Sequence, residues 1–233
     1  MLFFLAFLVI TIFIPGYVLT RIFRTPINSI SVLPYAFCTG YGLWALTAAI
    51  TYLLHLSWSQ VIFVHLTVIT LCIFYGFLKR FHRLSISGSQ SEWLLWTCVV
   101  FMAIAGAWKG GRQDGDAWYH IAQANYYLSD EPISSGHAYY REMAAGTVYD
   151  FNTYHLWLAY FSKLTQIYLP VIWIHLFPVF GCLSVLMLYG IVKEYSDTPL
   201  TQYIFLFVLT GVTLSTSIRD LTAMIYPASL AMM

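Results

Sequence analysis

Residues Gly110 to Leu128 read GGRQDGDAWYHIAQANYYL and hold the densest set of chemically capable side chains in the chain. Asp114 and Asp116 stand two residues apart. Carboxylates so placed can share a divalent cation, Mg2+ or Mn2+, with a substrate phosphate. Alternatively, one acts as general base while the other orients it. Arg112 offers a planar guanidinium for the same phosphate. Asp116 also suits the cap of a helix beginning near Ala117. On that helix His120 follows Asp116 by four residues, so both face one way, and His120 is placed to assist as a ligand or phosphate contact. Ile121, Ala124 and Leu128 line a neighbouring apolar stripe. An isolated Asp-x-Asp arises often by chance. The same residues also fit a helix cap, a solvated loop acid and a histidine hydrogen-bonded within the loop.

A second group lies in FNTYHLWLAYFSKLTQI, residues 151–167, where aromatic rings alternate with Asn152, His155, Ser162 and Lys163. Tyr154 and His155 open this stretch and can face the site cavity, with plain interface anchoring the simpler role for Tyr154. The stretch is short for a membrane span and reads as a helix lying flat in the outer interface. Arg141 and Glu142 follow Tyr139 and Tyr140 and suit a solvated loop or a sugar-stacking surface. His65 lies mid-span and His175 early in its helix, and their spacing supports no haem ligation. No Gly-rich nucleotide loop follows a strand.

The elements that must hold these groups follow from composition. Of 233 residues, 60% are hydrophobic and only 9% charged, against about a quarter charged in ordinary soluble domains. Such a chain cannot cover a water-soluble globule. It is neither disordered nor a soluble enzyme, and a formal net charge of +1 gives no basic face for nucleic acid. The expected fold class is all-α, a polytopic transmembrane helical bundle whose extracytoplasmic loop contains amphipathic helices. Crossing a bilayer takes about 20 apolar residues, which places spans near 2–20, 32–54, 60–78, 92–108, 170–192 and 200–217. The chain divides into four N-terminal spans in 1–108, an acidic loop with interfacial helices in 109–168, and further spans in 169–233, where it stops inside an apolar stretch as a truncated piece would. Pro170 and Pro178 near the start of the 170–192 span are tolerable early in a helix and can kink it. Cys38, Cys72, Cys98 and Cys182 lie in apolar runs and read as small buried residues.

Orientation comes from the short loops. Arg21 and Arg24 follow the first span and Lys79, Arg80 and Arg83 the third, while the turn near His55 carries no Lys or Arg. The positive-inside rule puts both basic loops in the cytoplasm and the N-terminus outside. The segment from Lys109 to Asp150 then lies outside. It holds six of the ten acids: Asp114, Asp116, Asp130, Glu131, Glu142 and Asp150. With 151–167 lying flat, Arg219 and Asp220 return to the outer face, where they suit a surface helix end or a pair of ligand contacts; with 151–167 spanning, both would be cytoplasmic.

On the motif Asp114-Gly115-Asp116, followed by Ala117-Trp118-Tyr119-His120, and on the later TYHLWLAYFSKLTQI, residues 105–233 resemble the GT-C membrane glycosyltransferases. These include protein O-mannosyltransferases, aminoarabinose transferases of lipid A and oligosaccharyltransferase catalytic subunits. Gln166 stands where Gly is usual, and four spans precede the acidic loop where the best-known members have one. The resemblance implies transfer of sugar from a polyprenyl-phosphate carrier to an extracytoplasmic acceptor, in the bilayer of a bacterial plasma membrane. It implies a catalytic role for Asp114, Asp116 and His120, with a divalent cation on the two aspartates. It also implies substrate contacts from Arg112, Tyr119, His155, Arg219 and Asp220, the last two meeting carrier phosphate and acceptor. A transporter or flippase of lipid-linked or polar substrates is the alternative. Transporters place polar groups near the midplane, whereas here the charges gather outside. A non-catalytic relative of the fold is the third reading, and it expects Asp114 and Asp116 not to converge on a common cavity.

Overall fold

The computed structural model of the protein describes residues 2–23, 32–79, 92–110, 115–129, 133, 152–196, 198, 200–204 and 206–208. Every secondary-structure element among them is helical. Four helices are long and apolar enough to cross a membrane: Leu2–Phe23, Val32–Leu53, Trp58–Leu78 and Leu169–Lys193. This is the make-up of an integral membrane protein.

The first of these is one helical run with a fault in it. Helix α1, Leu2–Leu8, passes through a π-helical segment, Val9–Phe13, into α2, Ile14–Phe23. Pro15 explains the fault. It has no N–H to donate, and its ring would meet the carbonyl four residues back. A widened turn accommodates it, and the Ile14 N–H reaches back to the Val9 carbonyl.

Helix α3, Val32–Leu53, lies close against this run because both helices present glycine at the crossing. A Cβ on Gly16 would strike the Ala36 carbonyl and the Gly40 nitrogen, and one on Gly40 would strike the Ile12 carbonyl. Small residues allow this approach, which substitutes dispersion contacts for a hydrophobic drive that lipid does not supply. Hydroxyls secure the crossing. Thr39 Oγ1 lies 3.0 Å from Thr20 Oγ1 and donates to the Gly16 carbonyl at 2.9 Å.

Helix α4, Trp58–Leu78, starts after a turn in which His55 adopts a left-handed φ of 48°. The Ser57 N–H donates to Gln60 Oε1 at 2.9 Å, one half of a capping box. Only Trp58, Val61, His65 and Ile69 are buried on α4. Phe63, Leu71, Phe74 and Phe77 are exposed, an apolar outward face suited to lipid.

Helix α5, Glu92–Gly110, contains a shorter apolar stretch, Leu95–Ala107. It packs on α8, Leu169–Tyr195, again through glycine: a Cβ on Gly106 would lie 2.7 Å from Pro178 Cα. Leu95, Cys98, Val99 and Met102 meet Val185, Tyr189 and Leu206 in a cluster of their own. Pro170 sits in the first turn of α8, where its missing N–H costs nothing, and Pro178 lies inside the helix. Most of the expected 200–217 span lies outside the described residues. Cys98 is buried, but Cys38 is exposed and Cys72 and Cys182 are half-buried, so cysteine burial is less general than the apolar runs suggest.

The remaining helices, α6 (Gly115–Ser129) and α7 (Thr153–Thr165), pack into the main core with the start of α8. Helix α7 lacks the uncovered face expected of a helix resting in an interface. Nine consecutive residues, Tyr154 to Ser162, are buried. A helix resting in an interface leaves one face uncovered, and this one has protein on every side. Phe4 and Phe7 pack against Trp157 and Phe161, and Trp44 stacks on Tyr160 from α3. Its N-terminus is tied to the middle of α3, where Trp44 Nε1 donates to the Thr153 carbonyl at 2.8 Å and Tyr41 Oη lies 3.0 Å from Thr153 Oγ1. Of the polar side chains that suggested an interfacial helix, His155 makes a tertiary contact, while those of Asn152 and Ser162 bond locally.

Candidate functional site

Helix α6 begins at Gly115, inside the Asp-x-Asp and two residues earlier than expected. Its buried face is Ala117, His120, Ile121, Gln123, Ala124 and Tyr127, while Leu128 is partly buried against the core. The apolar stripe is therefore where its spacing put it, with two polar side chains, His120 and Gln123, set into it. A polar residue one turn after His120 was the signal that Gln123 belongs to this face.

His120 meets His155. Nδ1 of His120 lies 2.7 Å from Nε2 of His155, between buried rings. Trp173, from the second turn of α8, stacks on His120 with centroids 5.6 Å apart and planes 14° apart. The site thus joins three helices. Tyr119 meets His120 edge-on at 5.8 Å, and Tyr154 flanks His155 at 5.7 Å. At 2.7 Å one ring nitrogen donates and the other accepts, so a single proton lies between them. The bond engages Nδ1 of His120. Burial, and then the neighbouring His120, hold His155 well below the usual histidine range. Burial also pushes the Tyr154 and Tyr160 hydroxyls up.

The support around the pair is backbone-directed. Asn152 caps α7, its Oδ1 accepting from the Tyr154 N–H at 2.9 Å, and the Asn152 N–H donates to Tyr127 Oη at 3.2 Å. Trp58 Nε1 donates to the Tyr127 carbonyl at 2.8 Å, and the Ile133 N–H donates to the Leu56 carbonyl at 3.1 Å. The α3–α4 turn, α6 and the start of α8 therefore gather at one end of the bundle. Tyr154 and Trp157 line a small cavity of about 10 Å3.

Of the residues singled out from sequence, His120, His155, Tyr119 and Tyr154 come together. Tyr154 is buried and does not anchor at an interface. Arg112, Asp114, Arg219 and Asp220 lie outside the described residues, as does the side chain of Asp116. Among the described residues no group of three His, Cys, Asp or Glu side chains could hold a metal ion. Trp173 escaped the sequence reading, since nothing in a tryptophan's spacing tells which ring on another helix it will cover. His65 is the other surprise. It is fully buried between Trp44 and Tyr160, with centroids at 4.9 and 5.1 Å, and neither of its ring nitrogens has a hydrogen-bond partner among the described residues. Comparison of the chain with family models, curated proteins and solved structures finds no match.

Proposed function

We propose that this chain is part of an integral-membrane glycosyltransferase that moves a sugar from a polyprenyl-phosphate carrier to an acceptor outside the cytoplasm. The observation that carries the reading is the buried His120–His155 pair under Trp173, set on a helix that opens within Asp114-Gly115-Asp116. An acidic pair, a histidine held in one orientation and an aromatic floor are the parts that acid–base transfer of a saccharide calls for. In the proposed reaction the acceptor oxygen or nitrogen attacks the anomeric carbon. Its proton passes to Asp114 or Asp116, the bond from that carbon to the phosphate oxygen breaks, and polyprenyl phosphate leaves with the electron pair. Arg112, or a divalent cation on the two aspartates, would offset the phosphate charge. His155 fixes the orientation of His120, so His155 is a positioning residue and His120 the group that meets substrate, along with Tyr119, Arg219 and Asp220.

The test is transfer of labelled sugar from polyprenyl-phosphate donors in membranes carrying the full-length protein. Consumption of donor with appearance of a glycosylated acceptor supports the reading, and absence of any consumption by folded protein refutes it. A transporter or flippase is the second reading. Its favouring observation is His65, a buried histidine within a membrane span without a hydrogen-bond partner among the described residues, a placement characteristic of proton pathways. Uptake of lipid-linked saccharide into vesicles would support it.

A further inference from the structure

On the outward face of α6, away from the histidine pair, Trp118, Ile121, Ala122 and Asn125 form a cleft with Tyr168, Leu169 and Pro170 at the entrance to α8. The α6 residues follow helical spacing, so they share one face. The cleft encloses about 220 Å3, on the order of seven water volumes, the scale of a single pyranose ring. Its floor is buried Ile121, while Trp118, Asn125 and Tyr168 are exposed at its rim.

The lining decides among ligands by chemistry. Among the described residues the lining has no Lys, Arg or His, so none of them compensates a phosphate or carboxylate. It carries the Asn125 amide and the Tyr168 hydroxyl, which an acyl chain would leave without hydrogen bonds at a cost. Two exposed aromatic rings beside an amide suit a neutral polyol with apolar C–H faces and hydroxyl edges. Its place also fits, since Tyr168 precedes the span that begins at Leu169 and Trp118 lies in the first turn of α6.

We propose that this cleft is a saccharide subsite, in which Trp118 and Tyr168 stack on a pyranose ring and Asn125 bonds its hydroxyls. The proposal deepens the glycosyltransferase reading and rests on it for the substrate class, but it is a statement about binding and is testable without transfer. The cleft holds one sugar unit on the face of α6 away from the histidine pair and takes no part in bond making.

The experiment is saturation-transfer NMR on the full-length protein in nanodiscs. The probes are methyl glycosides of glucose, mannose, galactose and N-acetylglucosamine at millimolar concentration, the range expected for a ligand this small. Wild type is compared with Trp118→Ala, Tyr168→Ala, Asn125→Ala and Trp118→Phe. The expected result is saturation of pyranose C–H protons by wild type for at least one probe, a loss of about tenfold in Trp118→Ala and Tyr168→Ala, and recovery in Trp118→Phe. No saturation with any probe overturns the proposal, as does saturation indifferent to Trp118 and Tyr168. Quenching of Trp118 by spin-labelled acyl chains, unrelieved by sugar, would show the cleft to be lipid-filled and also overturns it. Binding without transfer by wild type would retain the subsite and sink the transferase reading, whereas transfer without binding at the cleft would do the reverse.

Discussion

Nδ1 of His120 and Nε2 of His155 lie 2.7 Å apart although 35 residues separate them in the chain. The bond pins α6 to α7, and Trp173 extends the contact to α8. His155→Phe would keep the ring volume while leaving the buried Nδ1 of His120 without this partner. Such a loss costs about 1–3 kcal/mol. The variant should unfold at lower temperature in detergent, and the solubilised fraction that remains folded should show a lowered kcat with KM little changed, because orientation of His120 rather than affinity is lost. His155→Gln, which can still offer a donor or acceptor, should recover part of both. Unchanged stability and turnover in His155→Phe would mean the pair is incidental.

The same burial predicts how stability depends on pH. His155 is held well below the ordinary value of 6.5 in the folded protein, so between the two values the unfolded chain binds more protons. Stability is then full above about pH 6.5 and falls as pH drops towards the folded value, at up to about 1.4 kcal/mol per pH unit for one proton. Thermal melts between pH 8 and 5 should show the decline. In His155→Gln the slope should shrink, and a slope identical to wild type would remove His155 as its source.

Gly40 and Gly42 lie two residues apart on α3 with opposite tolerances. A Cβ at Gly40 collides with the Ile12 carbonyl, while at Gly42 nothing lies within 4 Å. Gly40→Leu should cost about 3 kcal/mol or more, beyond ordinary overpacking because backbone cannot yield as a side chain does. Gly42→Ala should be neutral or stabilise by about 0.5–1 kcal/mol through helix propensity. Melting temperatures of the two variants in one detergent check the contrast, and equal effects would contradict the crossing.

Gln166 ends α7 with φ of 59°, the left-handed conformation that glycine adopts without steric cost. Its side chain offsets part of the strain, Nε2 donating to the Lys163 carbonyl at 2.7 Å. Gln166→Gly should raise stability by about 0.5–1 kcal/mol, the strain relieved exceeding an exposed hydrogen bond lost. A drop in melting temperature would show that the side-chain bond matters more.

What could be read ahead of the structure follows locality. Long apolar runs gave three spans nearly residue for residue, because hydrocarbon thickness fixes their length. The stripe of Ile121, Ala124 and Leu128 is a matter of helical period. His120 and His155 each stood out as polar groups among apolar neighbours. Their partnership did not, since it depends on how α6 and α7 pack. Helix α7 misleads for the same reason: alone, His155, Ser162 and Lys163 make it look amphipathic, yet His155 is satisfied by His120 and Ser162 by the Ile167 carbonyl at 2.7 Å. The place of Trp173 over His120, and the lack of a hydrogen-bond partner for His65 among the described residues, are visible only once helices are assembled.

The central claim is that the aspartates heading α6 perform chemistry on a lipid-linked sugar. Its most direct measurement is sugar transfer by full-length protein in membranes, comparing wild type with Asp114→Asn and Asp116→Asn at matched expression. Each change keeps size and removes charge. The account predicts transfer by wild type and a fall of about 100-fold or more in at least one variant, the scale of losing a general base. Transfer that proceeds equally well in both variants would contradict it.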